Sequence, residues 1–412
     1  MQAASKGSIW KNYSGTIILL GAIVAGTLVG IFLPTAALSL KPVGDIFLNL
    51  IFTSVVPLIF FAVASSVIQL QGKEKAGRIL LLTGLVYTVT ALLAAAFAIL
   101  VLEIFPLSPV EAQTSLAHEE IAPSDISSTL VRAFTVNDFS ALLSKQNMLA
   151  LIVFSLLTGF AVRISGEKGT PFQQFIFSGN EVMKNFLHLI MKIAPLGLGA
   201  YFAYLIASLG PQLLQAYVES TILYYSSSLV YFLGAFSLYA FFAGGFRGIK
   251  NYWKNNITPS LTALATCSSI ATMPVNLEAG EKMSIRPSVN KLAIPLGAAL
   301  HKEGSSLGAI IKIAVLFAIL GKPFSGTETL MLALFVALLT SIVEGGIPNG
   351  GYIGEVFIIT AYGFPPEFLP VVTVIATVID PMATLLNATG DTASTMVISR
   401  IYGKNVPHEP TD

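Results

Sequence analysis

Two groups of residues carry side chains that could bind ions or small polar molecules, and both lie where such side chains are rare. The first is the run His301-Lys302-Glu303-Gly304-Ser305. The second is Asp380, Thr384, Asn387 and Asp391, spaced four, three and four apart. That spacing sets all four along one face of a helix. Glu344 stands at the mouth of a third feature, the stretch Gly345-Gly346-Ile347-Pro348-Asn349-Gly350-Gly351. The surroundings of each are apolar, and ionisable residues in membrane segments are costly and usually functional. Three acids (Glu303, Asp380, Asp391) and one lysine in adjoining helices would form a polar pocket near the midplane of a bilayer. The plainer alternative is a structural network that pairs Lys302 with Glu303 or Asp391.

The elements that must hold these residues are membrane helices. Of 412 residues, 54% are hydrophobic and only 11% are charged, against about 25% charged in a soluble domain. A chain with so few charges cannot build a wetted surface. The net charge of +1 gives no reason to expect nucleic acid as a partner. Cys267 is the only cysteine, so an internal disulfide is excluded. No zinc motif, P-loop or nucleophile elbow is visible. An enzyme is therefore not expected, although His301 and Glu303 could make an acid/base pair, and no cofactor is expected. An anion channel would want a ring of basic pore residues, which is not seen.

A spanning helix needs about 20 apolar residues. Runs of that kind are Thr16 to Leu33, Val43 to Leu70, Ile79 to Phe105, Met148 to Val162, Phe172 to Leu209 and Ile222 to Phe242. The first reads as a retained span, not a cleaved signal peptide. Lysine and arginine collect on the cytoplasmic side. They occur after the second run (Lys73, Lys75, Arg78), the fourth (Arg163, Lys168) and the sixth (Arg247, Lys250, Lys254), and not after the third or fifth. The N-terminus is therefore expected in the cytoplasm. Ile257 to Leu277 is followed by Lys282, Arg286 and Lys291, so both its flanks are basic. Both ends then lie on one side, as in a re-entrant hairpin. Leu292 to Leu320 reads as one outward span. Leu330 to Tyr362, broken at Gly345 to Gly351, reads as a second hairpin from the opposite side. Lipid could not satisfy the backbone of that break. The alternative is an exposed loop between two ordinary spans, with the C-terminus outside. Phe368 to Ile401 returns the C-terminus to the cytoplasm. The fold expected is an all-α polytopic protein of the cell inner membrane, with eight spans and two re-entrant hairpins. Opposed broken hairpins are a pattern of secondary transporters.

Three ordered segments carry a family resemblance: Thr266-Cys267-Ser268-Ser269-Ile270-Ala271-Thr272-Met273-Pro274-Val275, Ile294-Pro295-Leu296-Gly297-Ala298, and Asn387-Ala388-Thr389-Gly390-Asp391. With the two hairpins, they resemble the dicarboxylate/amino acid:cation symporter family, the glutamate transporter fold, over about Ile17 to Ile401. The resemblance implies a homotrimer in the lipid bilayer, working as an elevator with the second hairpin as gate. It implies scaffold segments at 13–70 and 125–212, and a transport domain made of 76–105, 217–245 and 247–402. Residue by residue, it implies that Asp380 receives a substrate ammonium group and Asn387 a carboxylate. Ser268 and Ser269 would cradle a carboxylate, with Thr384, Gly346 and Pro348 also at the small-molecule substrate. Asp391 and Asn387 would ligate sodium, and Tyr87 and Thr90 would belong to another sodium site. Helix N-termini at hairpin tips suit a carboxylate.

The departures from the family shape the expected function. Ala383 and Cys267 stand where acidic amino acid carriers have arginines. His301, Lys302, Glu303 and Glu344 replace residues near sodium, and Ala91 replaces a hydroxyl ligand. A small, neutral amino acid is therefore the expected substrate, because a retained Asp380 would repel a second carboxylate. A dicarboxylate or acidic amino acid with ordinary sodium coupling is the alternative, with His301 or Lys302 supplying the missing positive charge. Lys302 is expected to take the place of an ion and pair with Glu344. His301 and Glu303 can carry protons, so sodium or protons would be the coupling ions. The opposite expectation is that Asp391, Asn387, Thr90 and Tyr87 still hold a sodium.

Overall fold

The computed structural model describes residues 6–69, 74–108, 135–144, 147–209, 212–344 and 351–403. Among them every regular element is helical. In chain order these are α1 (Lys6–Phe32), α2 (Pro34–Ser39), α3 (Lys41–Gln69), α4 (Glu74–Ile104), α5 (Phe139–Leu142), α6 (Met148–Ile164), α7 (Thr170–Leu209) and α8 (Gln212–Asn255). They continue as α9 (Ile257–Thr266), α10 (Ser269–Lys282), α11 (Pro287–Leu300), α12 (Glu303–Ile319), α13 (Thr327–Val343), α14 (Gly351–Tyr362) and α15 (Leu369–Gly403). Three are long and apolar enough to cross a membrane, within α4, α8 and α15, and the bent α7 adds a fourth if it is one span.

The breaks have local causes. α7 turns by 51° between Ile190 and Lys192. Pro195 lies within that helix. A proline removes the hydrogen bond to the carbonyl four residues back and crowds it, and here that residue is Met191. α8 is interrupted at Gly244 and Gly245; Gly245 has φ 62° and ψ −152°, a conformation essentially confined to glycine. α9 ends on Cys267, a non-glycine residue held left-handed at φ 48°. The chain then reverses, and Ser268 caps α10 by accepting from the Ala271 N–H at 3.2 Å. Arms α9 and α10 pack on each other and both pack on α15.

The stretch Leu292 to Leu320 is not the single helix expected. It is two half-helices, α11 and α12, joined by extended backbone at His301 and Lys302. The sequence run looked continuous because it is apolar on both sides of the break. Here the freed backbone groups are satisfied inside the protein, where an interrupted helix is tolerated.

Two packing groups result. α1 and α3 pack on α7, and α6 packs on α3, to form the first; α4 with α8 to α15 form the second group. In the first, Gly26 and Gly30 on α1 bring the backbone against α7: a methyl at Gly26 would overlap the Gly199 carbonyl oxygen, and one at Gly30 the Ala203 carbonyl oxygen. Small residues four apart permit this closeness in membrane helices. In the second, α15 is the hub, buried from Met382 to Met396. Exposed leucine, isoleucine, valine and phenylalanine cover the outward faces of α1, α4, α7 and α8. That much exposed apolar surface suits contact with lipid.

Candidate functional site

His301 is the centre of the second group. The break between α11 and α12 projects its ring between α4 and α15. Its Nδ1 is 2.9 Å from Asp391 Oδ1, and its Nε2 is 2.8 Å from Thr90 Oγ1 and 3.2 Å from Glu303 Oε1. The Tyr87 ring stacks on it at 4.1 Å with 9° between the planes. Tyr87 is fixed in turn, donating to the Ala293 carbonyl at 2.9 Å with Thr395 Oγ1 at 3.2 Å. Glu303 Oε2 accepts from Tyr231 at 2.7 Å, and its Oε1 accepts from Ser394 at 3.3 Å. All of these residues are buried. Gly297 leaves space for the contact: a methyl there would meet Asp391 Oδ1 and the Tyr87 hydroxyl.

The structure thus gathers Tyr87, Thr90, His301, Glu303 and Asp391 into one cluster. The ring faces a carboxylate through each nitrogen. With hydrogens on both nitrogens it becomes a cation held between two anions. Asp391 Oδ2 alone lacks a hydrogen-bond partner.

Asn387 joins the cluster in an unexpected way. Its side-chain oxygen accepts from the backbone N–H groups of Gly304 at 2.8 Å and Ser305 at 3.2 Å, and its amide donates to Ser305 Oγ at 3.3 Å. It therefore satisfies the free N–H groups at the start of α12. Ser268 likewise uses its hydroxyl as the cap of α10, and Ser269 is buried beside it. Thr384 lies 3.4 Å from Asp380 Oδ1. Asp380 is exposed, unlike Glu303, Glu355 and Asp391. The thiol of Cys267, at the tip between α9 and α10, faces it. One acid and one hairpin tip therefore meet at an open position.

Lys302 departs from every pairing expected of it. Its Nζ donates to the Ala298 carbonyl at 2.8 Å, and among the described residues no carboxylate is within salt-bridge distance. The half-helix end leaves that carbonyl free, and the lysine stem folds back on it. Glu344 instead has Lys312 at 3.9 Å. Lys312 also donates to Glu355 in a close ion pair. Lys312 and Glu355 did not enter the sequence reading. Their signal was present, a lysine within Ala309-Ile310-Ile311-Lys312-Ile313 and a glutamate beside Val356-Phe357-Ile358. Gly346 and Pro348 lie outside the described residues.

With this geometry in hand, comparison with known proteins is informative. A model of the sodium:dicarboxylate symporter family matches residues 16–401. The proton/sodium-glutamate symport protein of Bacillus caldotenax is 25% identical over 97% of this chain and 95% of that protein. The C4-dicarboxylate transport protein 2 of Polaromonas naphthalenivorans is 26% identical over 93% of this chain and 87% of its own length. The C4-dicarboxylate transport protein of Pseudomonas syringae pv. syringae is 26% identical over 96% and 89%.

Proposed function

The chain belongs to the sodium:dicarboxylate symporter family, and from that premise we propose that it carries a small dicarboxylate or acidic amino acid across the bacterial inner membrane, coupled to a cation. Membership makes it a membrane transporter. The substrate class is our reading, and its support is twofold. Similar proteins are named for glutamate or C4-dicarboxylates, so a small neutral amino acid, the expectation drawn from Ala383 and Cys267, loses its standing. The observation that carries the reading is the open position where Asp380 faces the α9–α10 tip. The N-terminus of α10 offers N–H groups to a carboxylate, and Asp380 offers a carboxylate to an ammonium group. Any amino acid uses both and a C4-dicarboxylate uses the first; the choice of an acidic substrate over a neutral one rests on the names of the similar proteins.

Domain roles follow as part of the same proposal. α1, α3, α6 and α7, with no buried charge among their described residues, suit a static scaffold and a homotrimer contact. α4 with α8 to α15 hold every buried ionisable group other than tyrosine, and suit the moving part. Coupling is proposed to rest less on sodium than in the relatives. The His301 ring already engages Thr90 and Asp391, two of the side chains that would otherwise face an ion.

Competition uptake in proteoliposomes tests the substrate. Succinate, aspartate and glutamate should compete while serine, alanine and threonine stay inert; the reverse order would restore the neutral amino acid. Imposed sodium and proton gradients test the coupling. Steep sodium dependence with no response to pH would refute the reduced role of sodium.

A further inference from the structure

Lys312, Glu344 and Glu355 come from three elements, α12, the end of α13 and α14, and meet away from the His301 cluster. Their side chains are 3%, 8% and 1% exposed at the ion pairs that link them. Lys312 donates to Glu355 Oε1 and stands 3.9 Å from Glu344 Oε1, outside hydrogen-bonding range. Two carboxylate oxygens, Glu344 Oε1 and Glu355 Oε2, are buried without a hydrogen-bond partner. Gly354 makes the room: a methyl there would overlap Glu344 Oε1.

Charge does not balance here. Among the described residues the buried acids are Glu303, Glu344, Glu355 and Asp391, and the buried bases are His301, Lys302 and Lys312. His301 and Lys302 together match Glu303 and Asp391. Lys312 alone faces two glutamates. The other groups within electrostatic reach are Asp380 of α15, Lys302 and the Tyr224 phenol of α8, and the Ser305 side chain hydrogen-bonds the Glu344 carboxylate. Asp380 adds negative charge, and Lys302 already serves the first set. A buried carboxylate that has no counter-charge of its own, and one oxygen without a hydrogen bond, is strongly disfavoured. A proton resolves this with the atoms present, since a protonated carboxyl is neutral and donates one hydrogen bond.

We propose that the pair Glu344 and Glu355 carries one proton beside the Lys312 ammonium, making this triad a proton-binding site separate from the His301 cluster. Glu355 is the lysine's counter-ion and Glu344 is the seat of the proton. The site binds a proton whatever the substrate; only its use in driving uptake rests on the cation-coupled reading.

Infrared difference spectroscopy on the purified full chain in nanodiscs tests this without a transport assay. Wild type at neutral pH should show the carbonyl stretch of a protonated carboxyl, shifted by carbon-13 glutamate labelling. Glu344→Gln and Glu355→Gln should each abolish it, because one acid and one lysine then balance. Lys312→Met should roughly double it, because two carboxyls then lack a cation. A triad that serves only to hold helices together predicts none of these changes. Absence of the band in wild type, a band that glutamate labelling does not shift, or a band unchanged in both glutamine variants overturns the proposal. So does a band removed by replacing choline chloride with sodium chloride, which would make the ligand sodium. The labelling result needs no variant to fold. Failure of dicarboxylate uptake would overturn the substrate reading and leave the spectrum untouched.

Discussion

With hydrogen on both ring nitrogens, His301 bridges Asp391 and Glu303 as an internal cation. Removing it should be costly in a particular way. His301→Ala leaves two buried carboxylates facing each other's charge, a loss of about 3–5 kcal/mol by analogy with other broken buried pairs. The space vacated is then lined by Asp391, Glu303 and Thr90. Sodium chloride should therefore raise the melting temperature of the variant relative to choline chloride, with little effect on wild type, by linkage of binding to stability. Equal melting in both salts would mean that the ring does not stand in for an ion. Tyr231→Phe tests the next layer. It strips Glu303 Oε2 of its 2.7 Å donor and should cost about 1–3 kcal/mol, read as a fall in melting temperature in detergent. A variant as stable as wild type would show that Glu303 finds another donor.

At the scale of elements, function is organised by interruptions. The α11–α12 break delivers His301, the α9–α10 reversal delivers the tip facing Asp380, and Asn387 on α15 caps α12. Close approach holds these elements together: a methyl on Gly304 would overlap the Ala383 backbone carbonyl. Gly304→Ala should push α12 off α15 and reduce uptake before it reduces expression, at about 1–3 kcal/mol for overpacking. Uptake and melting equal to wild type would show that the two helices yield without consequence. The sequence made much of this layer legible. The long apolar runs correspond to α3, α4, α6, α7 and α15 within a few residues, α1 begins ten residues before its run, and the proline-bearing polar run at Ser268 marked the first reversal. It missed the unwinding at His301 because apolar periodicity does not register a break that other parts of the protein satisfy. It offered Glu303, Asp391 or Glu344 as the partner of Lys302, and in this structure the four-carbon stem reaches the Ala298 carbonyl instead. The ion triad escaped because its three members lie far apart in the chain, and only the packing of α12, α13 and α14 unites them.

For the molecule as a whole, burial is distributed unevenly. From Glu303 to Leu316 every residue of α12 is buried, and so is all of α15 from Met382 to Met396. Amide exchange should be slowest there and faster in α9 and α10, whose outer faces are accessible. Exchange in α12 as fast as in α9 would contradict this arrangement. The unevenness extends to charge, for among the described residues the buried ionisable groups other than tyrosine all lie in the group built round α15, and none lies in α1, α3, α6 or α7. A membrane voltage does work only on charge carried through it, roughly 2.3 kcal/mol per elementary charge for each 100 mV. Once His301 is doubly protonated and one proton is counted on Glu344, the seven buried groups sum to zero. The field then has no grip on them, and voltage reaches the transport cycle through Asp380, the charge of the substrate and the cation that accompanies it.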